Sequence, residues 1–332
     1  MIHDLKRRCE LISVLKYAKL IKILYREVKS MNPLFRFALK LMSSPKIDMQ
    51  EDYVWIRKMQ KAFSKTSSED YHFLDEKIYA ENQAHDIPIR IFYPENRKHE
   101  EHVIYIHGGG WALGDVDTYT SACVNLANHL NRVIYLVDYR KAPEHPYPAA
   151  FEDCLQVVKV LQKQAVEGKK KKWILMGDSA GGNLAAAVSL KLREENLELP
   201  YKQVLVYPLT FWDHSEDSPF ESVQTNGYDY GLTMKKITEY MEMYVPDESQ
   251  RKSPFVSPLM ADDFTNQPDT LVLTAEFDPL RDEGEEYGRM LKQAGNHVEI
   301  RRILESVHGF MTYPPYVEPL SEAYKIMNEF LN

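Results

Sequence analysis

The sequence has few of the residues that mark disulfide-bonded, metal-binding or membrane-spanning proteins. Only three of its 332 residues are cysteines, Cys9, Cys123 and Cys154, and their spacing fits no metal-binding motif. It contains no run of 18 apolar residues, so no helix is predicted to span a membrane. Lysines interrupt the apolar stretches near the N-terminus, which argues against a signal peptide. These absences predict a protein of the reducing cytoplasm without stable membrane insertion.

Acidic residues outnumber basic ones, but the charge is unevenly distributed. The net charge of the chain is −8, whereas residues 1–46 contain eleven Lys or Arg and three Asp or Glu, a net charge of +8. The remaining residues therefore carry −16, and such an acidic body argues against nucleic acid as a partner. The "HEEH" stretch at 99–102 lacks the spacing of a zinc protease, so neither a metal nor a cofactor is expected.

From Tyr71 onward, short apolar segments alternate with helical ones. The predicted strands are the hairpin "YHFLDEKIYA" and "IPIRIFYP", followed by "HVIYIH", "VIYLVDY", "KWILMG", "KQVLVYP", "DTLVLTAE" and "HVEIRRIL". A closing helix, "LSEAYKIMNEFLN", follows the last strand. This alternation predicts an α/β fold, in which a mostly parallel eight-stranded sheet has helices on both faces.

Two regions depart from this alternation. About sixty residues separate Tyr207 from Asp269, which predicts an insertion above the sheet with a helix near 233–244. Before the sheet, an apolar stripe from Leu11 to Val28 and a second stretch at 49–63 predict two helices. The stripe must be buried against either the protein itself or a lipid surface.

Glycine is scarce, yet six of the 14 glycines lie in two short stretches that end predicted strands. In "GDSAGGN", Ser179 stands between a strand and a helix, and Gly177 and Gly181 leave room for a sharp turn. The helix that begins at Ala180 directs free N–H groups towards the serine. A phosphate-binding loop is the alternative, but it requires Lys and then Ser or Thr after the last glycine, and Asn183 stands there.

The second glycine stretch, "HGGGW", ends the strand "HVIYI". Its consecutive glycines leave backbone N–H groups uncovered, so Gly109 and Gly110 are candidates to stabilise an oxyanion together with Ala180. A flexible loop is the alternative for three glycines alone. The presence of "GDSAGG" about seventy residues later favours the oxyanion hole.

A serine nucleophile needs a base, and folds with this turn place the acid and then the histidine after the serine. His308 follows the last predicted strand and is the expected base, whereas His297 precedes that strand and His107 precedes the glycines. For the acid, "LTAEFDPLRDEG" offers four carboxylates: Glu276, Asp278, Asp282 and Glu283. Asp278 is preferred because it lies just past the strand end, directly before Pro279.

With these motifs, the chain from about Tyr71 onward resembles the hormone-sensitive-lipase-like branch of the α/β-hydrolases. That branch includes bacterial carboxylesterases, acetyl esterases and arylacetamide deacetylase. The resemblance is carried by "HGGGW", "DYRKAPEHPYPAAFED", "GDSAGGN", "DPLRDEG" and "HGF", with Lys141 where the family usually has leucine. It implies an α/β-hydrolase fold with a catalytic domain at 66–332, an N-terminal helical cap at 1–65, and a contribution of residues 209–260 to the cap.

The resemblance also implies a function. The expected enzyme is a serine carboxylesterase that hydrolyses short-chain acyl esters, from acetyl to about octanoyl, through an acyl-enzyme. Its triad would be Ser179, Asp278 and His308, and its oxyanion donors Gly109, Gly110 and Ala180. Candidate pocket residues are Trp111, Phe211 and Trp212, while Asp178 and Glu144 would support the architecture of the site.

Three alternatives stay open at this point. A ligand-binding receptor is disfavoured because the related plant gibberellin receptors lack the catalytic histidine, which is present here as His308. A peptidase on the same fold usually carries a large extra domain, for which this chain has no room. A peripheral lipase would use the basic N-terminal helix as an anchor, although covering the active site is the simpler role. The sequence leaves the physiological ester and the oligomeric state open, and a homodimer is compatible with it.

Overall fold

A computed structural model describes residues 33–64, 71–81, 84–166 and 169–332. Within these residues, eight strands form one sheet in the order β1-β2-β4-β3-β5-β6-β7-β8. The strands are β1 (Phe73–Tyr79), β2 (Asp86–Phe92), β3 (His102–Ile106), β4 (Val133–Val137), β5 (Trp173–Asp178), β6 (Lys202–Val206), β7 (Asp269–Phe277) and β8 (Val298–Val307). Strand β2 pairs antiparallel with both β1 and β4, and every other pair is parallel. All eight strands predicted from the sequence are therefore confirmed.

The central strands are apolar throughout because both faces of the sheet are covered. Every residue of β3, β4 and β5 is buried, which matches continuous runs such as "VIYLV" rather than an alternating pattern. Two clusters of buried apolar side chains fill the two sides. One cluster includes Leu184 and Tyr287, and the other includes Leu126 and Met327. The sheet is therefore a rigid layer whose strand ends position loops.

Nine α-helices lie among the described residues. They are α1 (Pro33–Met42), α2 (Met49–Ser64), α3 (Val116–Leu130), α4 (Ala149–Lys163), α5 (Ala180–Glu194), α6 (Glu221–Asn226), α7 (Met234–Tyr244), α8 (Arg281–Gln293) and α9 (Glu318–Leu331). Short 3₁₀ turns occur at Glu248–Gln250, Pro258–Met260 and Phe310–Thr312, and a small hairpin pairs Ala165–Val166 with Lys169–Lys170. None of the helices described here is long and apolar enough to cross a membrane.

The N-terminal helices dock on the insertion that follows β6. The Glu239 carboxylate on α7 accepts a hydrogen bond of 2.9 Å from the Met49 N–H, which is the first N–H of α2. The Lys236 ammonium donates to the Met42 carbonyl at the end of α1, at 2.6 Å. Helix α2 and helix α7 match the predicted stretches 49–63 and 233–244, whereas α1 and α6 were not predicted. The predicted stripe from Leu11 to Val28 lies outside the described residues.

Candidate active site

A sharp turn at residues 177–182, called here the serine turn, joins β5 to α5. Ser179 has φ 56° and ψ −123°, a strained conformation for a residue with a side chain, and α5 begins at the next residue. A Cβ on Gly177 would collide with the Gly181 carbonyl, and a Cβ on Gly181 would collide with the Ile106 carbonyl of β3. The two glycines are therefore needed because backbone segments approach each other closely around the serine.

The three predicted triad residues lie in one chain of hydrogen bonds. The Ser179 hydroxyl is 2.8 Å from His308 Nε2, and His308 Nδ1 is 2.7 Å from Asp278 Oδ2. The Asp278 side chain is completely buried, and its second oxygen accepts the Leu280 N–H at 3.0 Å. The carboxylate is thus fixed by a backbone donor on one side and directs the imidazole on the other.

Parallel strands of one sheet bring these side chains together. Ser179, Asp278 and His308 each follow the carboxyl end of a parallel strand, β5, β7 and β8 respectively, so all three lie at the same edge of the sheet. His297 lies just before β8, which is the opposite edge, and it pairs with Asp269 at 3.5 Å.

The other candidate acids have partners away from the imidazole. Glu276 accepts the Glu305 N–H at 2.7 Å, and Asp282 accepts the Ser222 N–H at 2.8 Å. Glu283 is buried and accepts a hydrogen bond of 2.6 Å from the Thr210 N–H. Among the four candidates, only Asp278 has a hydrogen bond to His308 within the described residues.

Residues 107–113, called here the glycine loop, lie beside the serine. Gly109 and Gly110 have φ of 114° and 60°, and their N–H groups have no hydrogen-bond acceptor in the described parts of the chain. The ring of Tyr240 on α7 rests on Gly110 so closely that a Cβ there would collide with it. Ala180 contributes the first N–H of α5 at the same cavity. Gly109, Gly110 and Ala180 therefore all line the cavity that contains Ser179.

The carboxylate of Asp178 holds the two glycine-rich segments together. Its Oδ1 accepts hydrogen bonds from the Tyr105 hydroxyl at 2.8 Å and the Gly108 N–H at 2.9 Å. Its Oδ2 accepts from the hydroxyls of Tyr119 at 3.0 Å and Tyr207 at 3.3 Å. Burial raises the pKa of Asp178, while the hydrogen bonds from Tyr105 and Tyr119 act in the opposite direction.

Tyr207 extends this network to the loop that carries the histidine. Its hydroxyl accepts the Met311 N–H at 3.1 Å and donates to Asp178, so its proton is directed at the carboxylate. Its ring lies 4.7 Å from the ring of His308. One buried carboxylate therefore connects the serine turn, the glycine loop and the histidine loop. The resemblance to a family implied a supporting role for Asp178. The tyrosines were not foreseen: Tyr105 lies on β3, Tyr119 on α3 and Tyr207 just after β6.

His107 is a buried part of the glycine loop. Its Nδ1 donates to the Gly108 carbonyl at 2.8 Å, and its ring stacks on Tyr139 at 4.4 Å. Burial, with a further contribution from the positive charge of Lys141, lowers the pKa of His107 to about 3, so the ring is neutral at pH 7. Lys141, the departure from the family pattern, pairs with Asp138.

A cavity of about 190 Å³ opens above the serine. Trp111 lines it, as the sequence analysis expected, and the ring of Trp111 stacks on Tyr244 at 4.4 Å. Phe211 and Trp212 are not among the lining residues: Phe211 packs on Phe220 at 5.2 Å, and Trp212 lies under the Lys252 ammonium. The lining side chains that the sequence analysis missed are Tyr119, Leu209, Leu232, Ile237, Tyr240 and Leu280.

Glu283 organises the segment that carries part of this lining, and it was considered only as a candidate acid. Its carboxylate accepts from the Thr210 and Phe211 N–H groups and lies 2.7 Å from His214 Nε2. The Asn183 amide donates to the Leu209 carbonyl at 2.9 Å. The signals were present in the motifs "DPLRDEG" and "GDSAGGN", but their partners lie in the insertion, where no pattern predicted a contact.

No group of three or more His, Cys, Asp or Glu side chains suited to a metal ion occurs among the residues described here. The site described above combines an activated hydroxyl, a base, an orienting acid, backbone donors and a small, mostly apolar cavity. Together these groups can add a serine to a polarised carbonyl group and stabilise the negative charge that develops on its oxygen.

Comparisons with known proteins agree with this arrangement. A family profile described as the alpha/beta hydrolase fold matches residues 103–312. The chain is 37% identical over 243 residues to an arylesterase of Saccharolobus solfataricus, covering 72% of this chain and 77% of the relative. It is 32% identical over 254 residues to an ethyl acetate hydrolase of Pseudomonas putida, covering 75% and 79%.

Among solved structures, a hyperthermophilic esterase from the archaeon Pyrobaculum calidifontis superimposes with a TM-score of 0.80 at 32% sequence identity, covering 91% of this chain and 97% of that one. The similarity to these proteins thus extends over most of the chain, and it agrees with the strand order, the serine turn and the glycine loop described above. This protein belongs to the α/β-hydrolase fold family, in its hormone-sensitive-lipase-like branch.

Proposed function

We propose that this chain, a carboxylic ester hydrolase by its family, hydrolyses short-chain acyl esters through an acyl-enzyme on Ser179. The observation that carries the proposal is the hydrogen-bond chain from Asp278 through His308 to Ser179 on the floor of a small cavity. The relative named ethyl acetate hydrolase supports an ester of a small acid.

In the first half of the reaction, His308 Nε2 takes the Ser179 proton as the serine oxygen attacks the ester carbonyl carbon. Asp278 holds the imidazole in the tautomer with a proton on Nδ1 and stabilises the positive charge that forms on the ring. The carbonyl oxygen becomes an oxyanion that the N–H groups of Gly109, Gly110 and Ala180 stabilise. The proton then passes from Nε2 to the alcohol oxygen, and the alcohol leaves.

In the second half, water repeats the same chemistry on the acyl-enzyme. His308 takes a proton from water, the resulting hydroxide oxygen attacks the acyl carbon, and the proton returns to Ser179 as the acid leaves. Asp278 and His308 thus take the same roles in both halves, and the same backbone donors stabilise the oxyanion in each. No metal or cofactor takes part in this proposal.

The size of the cavity supports a short acyl group. Its volume of about 190 Å³ lies below the roughly 300–1,000 Å³ of sites for drug-sized ligands. Leu209, Leu232, Ile237 and Leu280 make its walls apolar, which suits a hydrocarbon chain rather than a charged acid. We propose acyl groups from acetyl to about octanoyl.

We also propose that residues 1–65 and 209–260 form the cap of the site. Helix α7 supports this because it contributes Ile237 and Tyr240 to the cavity and also contacts the end of α1 and the start of α2. The cap would close one side of the cavity and restrict long acyl chains. The cytoplasmic location and the homodimer stay predictions.

A panel of soluble aryl esters that differ only in acyl length tests the proposal. We expect kcat/KM to be highest between acetyl and octanoyl and to fall steeply beyond it. Emulsified long-chain triglyceride is the comparison substrate. A higher turnover on that emulsion than on a soluble butyrate would contradict the short-acyl proposal. If the protein bound these esters but hydrolysed none of them, the proposal of hydrolysis itself would be contradicted.

A further inference from the structure

Arg57, in the middle of α2, reaches from the N-terminal helical segment into the backbone of the site. Its Nε donates to the Ala112 carbonyl at 2.6 Å, and its Nη2 donates to the Ala142 carbonyl at 2.7 Å. Both terminal nitrogens also bond the Glu144 carboxylate, at 2.7 and 3.0 Å. A planar guanidinium can satisfy three acceptors in this way, and a lysine ammonium cannot reproduce the fork.

The glycine loop needs such support because its backbone is strained. Gly109, Gly110 and Trp111 have positive φ in succession, at 114°, 60° and 56°. Trp111 has a side chain, so this left-handed conformation is strained and persists only where the surroundings enforce it. The two glycines whose N–H groups face the cavity lie directly before Trp111.

Several contacts enforce the conformation, and they come from different elements. At its start, the Gly108 N–H is held by Asp178, and in its second half the Trp111 carbonyl accepts the Ala142 N–H at 3.0 Å. At its end, the Ala112 carbonyl is held by Arg57, which also bonds the Ala142 carbonyl. Arg57 therefore joins the end of the glycine loop to the segment that holds Trp111.

Helix α2 is itself fixed, so it can serve as a support. Its first N–H is bonded by Glu239, and the Gln50 amide donates to Glu242 at 2.6 Å, both on α7. The guanidinium of Arg57 lies over the ring of Tyr53 at 4.8 Å. Partial burial acts to raise the pKa of Glu144, but the hydrogen bonds and charge of Arg57 outweigh it and hold that pKa below its ordinary value.

We propose that Arg57 is a positioning residue for the oxyanion donors. The N-terminal helical segment then helps to position these donors in addition to covering the site. The proposal rests on the oxyanion hole proposed above. Arg57 acts through the Ala112 and Ala142 carbonyls and touches no reacting atom. Its contribution is to keep the Gly109 and Gly110 N–H groups directed at the oxygen that becomes negative in the transition state.

Substitution of Arg57 should therefore reduce kcat rather than raise KM. Loss of one oxyanion donor costs about 10²–10³ in kcat, and a donor that is displaced but present should cost less, about 10- to 100-fold for Arg57→Ala. Arg57→Lys keeps the charge but cannot bond both carbonyls, so its loss should be intermediate. Glu144→Gln keeps both carbonyl bonds and should lose less than Arg57→Ala. Lys58→Ala, at an exposed position on the same helix, is the matched control and should retain full kcat.

The test compares turnover with the affinity for a trifluoromethyl ketone of short chain length. Ser179 adds to such a ketone, its proton moves to His308, and the hemiketal oxygen carries the negative charge that the donors bind. Across wild type, Lys58→Ala, Arg57→Lys and Arg57→Ala, we expect the inhibition constant to rise by the same factor by which kcat/KM falls, while KM changes by less than about twofold. Rates are normalised to the fraction of sites that a phosphonate titrates.

The outcomes separate the two proposals. Equal ketone affinity in Arg57→Ala and in wild type, or a loss confined to KM or to the titratable fraction, would show that Arg57 has a structural role alone and would overturn this inference. Failure of the ketone to inhibit the wild-type enzyme would instead overturn the proposed oxyanion hole. If Arg57→Ala does not fold, the comparison of Arg57→Lys with Lys58→Ala decides in the same way.

Discussion

The serine turn and the glycine loop present backbone N–H groups to the same cavity, but different forces hold them. The serine turn lies between a buried strand and a helix, and Gly177 and Gly181 allow segments of backbone to touch directly. The glycine loop joins β3 to α3, but its own residues lie in turns rather than in either element. Its conformation depends on side chains from α2, β3, β5 and α3, together with the Ala142 N–H.

The difference shows how strain is tolerated at a functional site. At Ser179, one residue is strained and the sheet enforces it through continuous secondary structure. In the glycine loop, three successive residues have positive φ, and long-range contacts must enforce them. Substitutions of the triad residues at the sheet edge should therefore abolish catalysis without changing the fold. Substitutions around the glycine loop should have smaller, graded effects on turnover and on the pH dependence of stability.

The largest effect is expected at the serine. Ser179→Ala removes the attacking oxygen while α5 and β5 keep the turn in place, so kcat should fall by about 10⁵–10⁶ with an unchanged far-ultraviolet circular dichroism spectrum. Steady-state hydrolysis of a butyrate ester measures it. Residual activity above about 1% of wild type, in a preparation free of contaminating esterase, would show that another residue is the nucleophile.

The next largest effect is expected at the acid. Asp278→Asn removes the charge that orients and stabilises the imidazole, and kcat should fall by roughly 10⁴. Asp282→Asn is the control, because Asp282 bonds the Ser222 N–H and Arg281 rather than His308. Its kcat should stay within about threefold of wild type. If Asp282→Asn were the more damaging of the two, the assignment of the acid would be wrong.

A smaller effect, on stability rather than turnover, is expected at His107. Its pKa is about 3 in the fold, against about 6.5 for an unfolded chain, so the unfolded state binds more protons between these values. The contribution of the neutral His107 ring to the free energy of unfolding is complete above about pH 6.5. It decreases as the pH falls towards 3, by about 2 kcal/mol between pH 6.5 and pH 5. In His107→Gln, the free energy of unfolding should therefore fall less between pH 7 and pH 5.

Urea unfolding at the two pH values measures this slope. His102→Gln is the comparison, since burial lowers the pKa of His102 to about 4 at the opposite end of β3 from the glycine loop. Only the His107 variant should also lower kcat, because only His107 lies in the glycine loop, where its ring bonds the Gly108 carbonyl. A wild-type slope in His107→Gln would contradict the view that this buried ring is neutral.

The strands and the site residues at the edge of the sheet could be predicted from the sequence because each depends on a local pattern of residues. Buried strands need continuous apolar runs, the turn at Ser179 needs small neighbours, and His308 and Asp278 must follow strand ends. All eight strands and the contacts among the three side chains agree with those patterns. Residues that are adjacent in the chain, or at the ends of adjacent parallel strands, leave a signal that one sequence can carry.

The contacts that support the glycine loop and the cavity left no such signal. In the sequence, nothing distinguishes Arg57 from the other charged residues of an amphipathic helix, or Tyr240 from the other apolar side chains of α7. Their partners, Ala112 and Gly110, lie far away in the sequence and contribute backbone atoms that carry no pattern. Phe211 and Trp212 were predicted to line the pocket as residues of the insertion, but the turn held by Glu283 directs Leu209 to the cavity instead.

The most direct test of the account is covalent labelling of the nucleophile. A short-chain phosphonate ester should add one equivalent to the enzyme, seen as a single mass increase of the intact protein, and peptide mapping should place it on Ser179. A butyrate ester mixed rapidly with enzyme and quenched in acid should leave a butyryl group at the same residue. A label on another residue, or inhibition and turnover without any label on Ser179, would contradict the central claim.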